Sequence, residues 1–311
     1  MFPKSVCAFY LLPIILCFGA ATIHGQQIEV APRLKAGDEF SLNVIHAREN
    51  SSRPEQNAKS TTTIAVRVLT ATPEGLTLAW TPGDSSIDNP QLARDPMITA
   101  AMDAVRGVSL HLKLSPDGEY NGLSNENEVV SRLQKAADGM MRELMKKLPE
   151  DKRSQFQSMM SSVLSPTMLI ASATRDAQTY FDMNGATLDV GKPVEVEIQQ
   201  PNPFGGEPMP ARLRATAASA TTTEAVINTT TTYDAAVLVK MTEALVAKTG
   251  QSLTPEQIAK APPMKMADEA RYVLDRKLGL IREAQLERRV EAGPTRRLDR
   301  WDFRLLKAPT R

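Results

Sequence analysis

Apolar and polar residues alternate with a period of two along much of the chain, which is the signature of strands with one buried and one wet face. The clearest stretch is Ala267–Leu306, read as three consecutive strands. Ala270, Tyr272 and Leu274 share a side there, and Trp301, Phe303 and Leu305 share a side opposite Arg300, Asp302 and Arg304. Gly279 and the Ala292-Gly293-Pro294 cluster supply the two turns. The same alternation appears earlier in Phe40, Leu42 and Val44, before a polar loop over 48–59, and then in Ile64, Val66 and Val68. Thr72-Pro73-Glu74-Gly75 is a tight turn into Leu76, Leu78 and Trp80, which predicts a hairpin. Val108, Leu110, Leu112 and Leu114 alternate with Ser109, His111 and Lys113, and Ser115-Pro116-Asp117-Gly118 turns the chain again.

Elsewhere the period changes to that of a helix. Asp95-Pro96 is a helix start, with Met97, Ile98, Ala101, Met102 and Val105 inward and a stop at Gly107. Asn125 and Glu128 are spaced as a capping box. Behind them Val129, Leu133, Ala137, Met140, Met141, Leu144 and Leu148 form an apolar stripe that Pro149 ends. A second helix is predicted over 150–164, and a third from Ser165-Pro166 to about Phe181, with Asn184-Gly185 as its stop. Further helices are expected over 235–249 and from Thr254-Pro255 onward.

One pattern recurs. Leu34-x-x-Gly37 followed by Phe40, Leu42 and Val44 aligns with Leu188-x-x-Gly191 followed by Val194, Val196 and Ile198, at a constant offset of 154 residues. Each copy continues through a loop (Pro201–Pro210 in the second), a Thr-rich strand pair and a helix. This predicts an α+β protein with a large curved, mainly antiparallel, half-barrel-like sheet built from two pseudo-repeats. The repeats fall at about 30–123 and 185–307, a helical insert at about 124–184, and helices cover the concave face of the one domain, 26–311.

The first residues change the picture of compartment. A lone Lys4, an apolar run from Val6 to Ala21 and a small-residue exit predict a cleaved signal peptide over 1–25, and a periplasmic or secreted protein. The run is too short, and broken by Pro13, for a membrane span of roughly 20 residues. Cys7 and Cys17 both lie inside it, so the exported chain has no thiol for a disulfide, a metal or a nucleophile. Without Lys4 the chain carries 36 basic and 36 acidic side chains, which argues against nucleic acid as a partner. From Met264 to Arg311 there are 13 basic and 8 acidic residues. They read either as a solvated outer face with Arg paired to Glu across strands or as a contact for anionic headgroups or an acidic partner.

Chemistry-bearing motifs are missing. No H-E-x-x-H, nucleophile elbow, P-loop or dinucleotide fingerprint occurs, and His46 and His111 have no partner at metal-ligand spacing. The reading therefore assigns no catalytic residue, no metal and no cofactor. An enzyme would require carboxylates such as Asp176 or Asp182 to converge in a cleft. Methionine is the feature closest to function: Met140, Met141, Met145, Met159, Met160 and Met168 gather in the insert, where soft side chains fill gaps or adapt to a variable apolar partner. Candidate ligand-binding residues are thus Trp80, Met140, Met141, Leu144, Met159, Met160, Trp301 and Phe303. Phe204, set among glycines and prolines, would crown a loop able to dip into a membrane or fold back on the sheet.

Tyr272-Val273-Leu274-Asp275, a short turn and Gly279-Leu280 resemble a segment of the bacterial outer-membrane lipoprotein carrier family and related lipid-binding lipoproteins. The resemblance covers about the last 45 residues. The chain also looks like other secreted bacterial envelope proteins built on such sheets. The resemblance implies a half-open barrel with a helical lid, non-covalent binding of acyl chains and no catalysis. This chain departs from it in length, in the repeat and in placing its helices between the copies. The expected function is an exported, non-enzymatic carrier or binding protein for an apolar ligand, a lipid or acylated polypeptide, with peripheral membrane contact. The alternative is a scaffold that meets a protein partner in the cell envelope.

Overall fold

The computed structural model describes residues 26–200, 208–248 and 264–309. The first meander comprises β2 (Glu39–Asn50), β3 (Ala58–Thr72), β4 (Gly75–Ile87), β5 (Leu110–Leu114) and β6 (Tyr120–Leu123). The second comprises β8 (Pro193–Gln200), β9 (Met209–Ala220), β10 (Glu224–Tyr233), β11 (Met264–Asp275), β12 (Leu280–Ala292) and β13 (Thr295–Lys307). All are antiparallel and form one 11-stranded sheet in the order β6-β5-β4-β3-β2-β13-β12-β11-β10-β9-β8. Every neighbour is also a neighbour in sequence except β2 and β13, which bring the two ends of the chain together. The sheet is large, curved and not closed, and with its helices makes an α+β fold.

Between β4 and β5 lie α1 (Pro90–Ala93) and α2 (Pro96–Val105), the latter capped by Asp95, which accepts from the Met97 N–H at 2.8 Å. The insert forms α3 (Glu126–Lys147), α4 (Glu150–Val163) and α5 (Pro166–Tyr180), and α6 (Ala235–Lys248) follows β10. A separate two-stranded ribbon pairs β1 (Gln27–Glu29) with β7 (Thr187–Asp189).

Strand register explains the core. Phe303 stands opposite Val44 on one side and Ala284 on the other, and Tyr272 stands opposite Ala284 and Ile227. Farther along β2, Phe40 stands opposite Val66, and Trp80 and Leu110 extend that second row through β4 and β5. The inner face so defined is apolar at one end of the strands, and the C-terminal end of α5 plugs it. Tyr180 and Phe181 contact Trp80 at centroid distances of 6.0 Å each, and Tyr180 lies 5.7 Å from Phe303. The Tyr180 hydroxyl donates to the Ile281 carbonyl at 2.6 Å, which satisfies this buried phenol. The segment from Ile28 to Leu34 closes this end of the sheet. Val30 exchanges backbone hydrogen bonds with Gly185 and Ala186, and Ala31 passes so close to Gly279 that a Cβ there would sit 1.7 Å from its carbonyl oxygen.

Several expectations shift. The polar loop over 48–59 shrinks, because β2 stays paired with β13 as far as Asn50 and β3 begins at Ala58. β9 starts at Met209, inside the stretch expected as a loop over Pro201–Pro210, with Pro210 beyond the last rung shared with β10. Asn125 precedes α3 without a side-chain cap. Its amide instead accepts from the His111 N–H and donates to the Ser109 carbonyl, each at 2.9 Å, tying the helix start to β5. Gly37 and Gly191 both have positive φ (88° and 77°) and both donate backbone N–H groups, to Val68 and Ala217. The residues after them differ in burial. Phe40, Leu42 and Val44 are buried in the middle of the sheet, whereas Val194 and Val196 on the edge strand are 39% and 44% exposed. Phe204 and the helix expected at Thr254 lie outside the described residues.

Candidate functional site

Past the aromatic plug the inner face becomes charged. The strands that contribute Tyr272, Ala284, Phe303 and Val44 to the core place Asp268, Arg288, Asp299 and Arg48 in one row farther along, each directly opposite the next. Same-face residues on neighbouring strands meet, so opposite charges alternate across four strands. Arg288 grips Asp268 with both arms of its guanidinium, Nε at 2.7 Å and Nη2 at 2.6 Å, and the Tyr233 hydroxyl donates to the same carboxylate at 2.7 Å. Asp299 is 3% exposed and accepts from Arg48 Nε at 2.9 Å. Arg297 Nε stands 2.7 Å from its other oxygen, an ion pair by distance but off the hydrogen-bond direction. His46 Nε2 lies 3.8 Å from Asp299, beyond hydrogen-bond reach, while its ring stacks on Trp301 at 4.7 Å with planes 9° apart. Burial alone would raise the Asp299 carboxyl, but His46, Arg48 and Arg297 outweigh it and hold it well below the ordinary value.

Two carboxylates of the α5 region face this band. Asp176 is raised by burial, offset in part by His46 and Arg175. Water reaches Asp182, yet the protein packed around it, together with the Asp268 carboxylate, pushes it up to about 6. That shift fixes a sign. The folded state holds a proton on Asp182 more tightly than the unfolded chain, whose value is near 3.8. Its contribution to stability is therefore complete below that value and lost as pH rises through about 6. Asp182→Asn should accordingly raise the urea midpoint at pH 7.5 and leave it unchanged below pH 3.8.

On the far side of the band a second apolar cluster forms under α6. Met209, Leu238, Met241 and Met266 pack together with Val237, Met264, Val290 and Tyr233 around them. The inner face thus reads apolar plug, charged band, methionine-rich cluster. Beyond it, toward the free edge, Val194 and Val196 lie on the same face as buried Ala215 and half-buried Leu213.

The sequence-predicted site residues separate. Trp80 and Phe303 are 1% and 2% exposed and sealed beneath Tyr180 and Phe181, so they face protein and not a lumen; the expected ligand contact is replaced by the plug that α5 supplies. Trp301 is half-buried and faces the band. Val129, Leu133 and Ala137 of the α3 stripe are buried, while Met140, Met141 and Leu144 beyond them are half-buried. Met160 is half-buried, and the Met159 side chain lies outside the described ones. A hollow of about 360 Å³ lies along the polar side of α3, lined by residues including Asn127, Gln134, Asp138 and Arg142, and not between the helices and the sheet. Among the described residues no group of three or more His, Cys, Asp or Glu could hold a metal, and no helix is long and apolar enough to cross a membrane.

Sheet, plug and band together define an α+β protein with an open antiparallel sheet and an amphipathic inner face. No protein-family model matches the chain, and no curated protein does. Among solved structures it is similar to one described as "lipid-protein interactions in lipovitellin", at 10% identity and a TM-score of 0.43. That alignment covers 89% of this chain, which spans only 26% of the other chain's length.

Proposed function

We propose that the protein is an exported, non-enzymatic carrier or binding protein for an amphipathic ligand, a lipid or an acylated polypeptide, held on the inner face of the sheet. One observation carries this reading: between the α5 plug and the α6 cluster the inner face is open, and it offers polar and apolar groups side by side. Arg48 and Arg297 keep 47% and 39% of their side chains exposed there, beside half-buried Trp301. A soluble protein with no use for such a surface fills or covers it. The signal-like first residues support an exported location. Native mass spectrometry and solvent extraction of protein purified from the envelope fraction should find a copurifying amphiphile. Protein that arrives bare and takes up neither fatty acid nor phospholipid in solution overturns the reading.

The scaffold reading has its own support in β8. Among the described residues this strand pairs only with β9, and it shows Val194 and Val196 on one face and Glu195 and Glu197 on the other. A stable crosslinked complex through this edge, without bound lipid, would favour it.

A further inference from the structure

We infer that the ligand of this face is an anionic amphiphile, its carboxylate or phosphate seated on Arg48 and Arg297 and its chain laid over the methionine cluster under α6; this rests on the carrier reading above. The two kinds of arginine in the band differ. Arg288 is 22% exposed and has its Nε and Nη2 engaged by Asp268 and Tyr233. Arg48 and Arg297 both meet Asp299 through Nε, at 2.9 and 2.7 Å. Among the described residues no hydrogen bond engages an Nη atom of either. Asp299 is buried, so it cannot turn away. It accepts a hydrogen bond from Arg48 Nε and pairs by distance with Arg297 Nε, while 47% and 39% of the two side chains stay exposed, which leaves guanidinium surface that suits a carboxylate or phosphate. Two cations share one carboxylate, so the patch is short of one negative charge.

The apolar part of the site is adjacent by register. Arg297 stands directly opposite Val290, and Val290 directly opposite Met266. Val290 and Met266 belong to the cluster that includes Met209, Leu238 and Met241. The base of the Arg297 side chain is therefore about 5 Å, one strand spacing, from that of the first apolar residue of the cluster. Unbranched methionines suit a flexible chain of variable shape.

The test compares dodecanoate, dodecyl phosphate, dodecanol and dodecyltrimethylammonium for binding to the full exported chain by calorimetry. The two anions should bind about tenfold or more tightly than dodecanol, the margin of a charge-assisted pair, and the cation weakest. The better of the two anions tells a carboxylate head from a phosphate head. Arg48→Gln/Arg297→Gln/Asp299→Asn, which removes the cations without stranding the buried acid, should abolish the preference while dodecanol binding persists. Arg297→Gln alone, with Arg48 left on Asp299, should reduce the preference and serves if the triple variant does not fold. Equal binding of dodecanol and the anions, or a preference that survives Arg297→Gln unchanged, overturns the headgroup assignment and leaves the carrier reading standing. No binding of any of the four overturns both.

Discussion

Trp80→Ala is expected to destabilise the protein by about 3–5 kcal/mol, the range for deleting a buried aromatic side chain. Trp80 is 1% exposed and is the residue on which the α5 plug rests, through Tyr180 and Phe181. The void would open between a helix end and a sheet in which Trp80 itself is held by ladders on both sides, opposite Val66 and Leu110. A ladder holds its Cα positions, so the site cannot collapse, and the cost should fall in the upper part of that range. Tyr180→Phe separates the hydrogen bond from the packing. It removes the 2.6 Å bond to Ile281 and should cost about 1 kcal/mol, plus the penalty of an unpaired carbonyl. Urea unfolding of both variants checks this. A loss below about 1 kcal/mol for Trp80→Ala would show that the α5 end does not bear on the sheet.

The apolar half of the sheet was legible because most strands that build it keep the two-residue period, Val273 and Ile281 beside the β11–β12 turn being buried out of step. The charged half obeys the same period and was missed for a physical reason. In Arg297, Asp299, Trp301, Phe303 and Leu305 the alternation runs unbroken on one face. A charged residue at an inward position nevertheless looks like the end of a buried strand, so the count began at Arg300. Phe40, Leu42 and Val44 likewise continue as His46 and Arg48, and Leu274, Tyr272 and Ala270 continue back to Asp268. The missed signal was that several strands turn from apolar to charged on the same face, with both signs available. Opposite charges that fall into register can sit on an inner face without stranding either. Sequence could not show which strands are neighbours. The meeting of β13 with β2 joins residues some 250 positions apart and makes Arg48 the partner of Asp299. The plug was hidden for the same reason, since nothing local marks Tyr180 as the residue that meets Phe303.

Removing both cations from Asp299 should have the other large effect. Arg48→Gln/Arg297→Gln leaves a carboxylate that is 3% exposed without the two guanidiniums that meet it, its remaining cationic neighbour across the strands being Arg288, already engaged by Asp268. Breaking a buried pair from one side costs up to about 3–5 kcal/mol at neutral pH. The pH dependence identifies the cause. In the wild type the folded-state pKa of Asp299 lies below its unfolded value of 3.8, so the stability it confers is present above that value and lost as pH falls below it. Without the arginines two of the influences that lower the carboxyl are gone while burial still raises it, so it should move up from its wild-type position. The stability that the Asp299 pairing loses in the wild type as pH falls below 3.8 should then be smaller in the variant. Adding Asp299→Asn to the double variant should restore most of the loss at pH 7 and remove the Asp299 contribution to the pH slope, because a neutral amide needs no counter-charge. Urea midpoints for the three proteins across the acid and neutral range read out both effects. A double variant as stable at pH 7 as the wild type would mean that Asp299 is held by solvent and not by its arginines, and the open guanidinium forks would then have no fixed base.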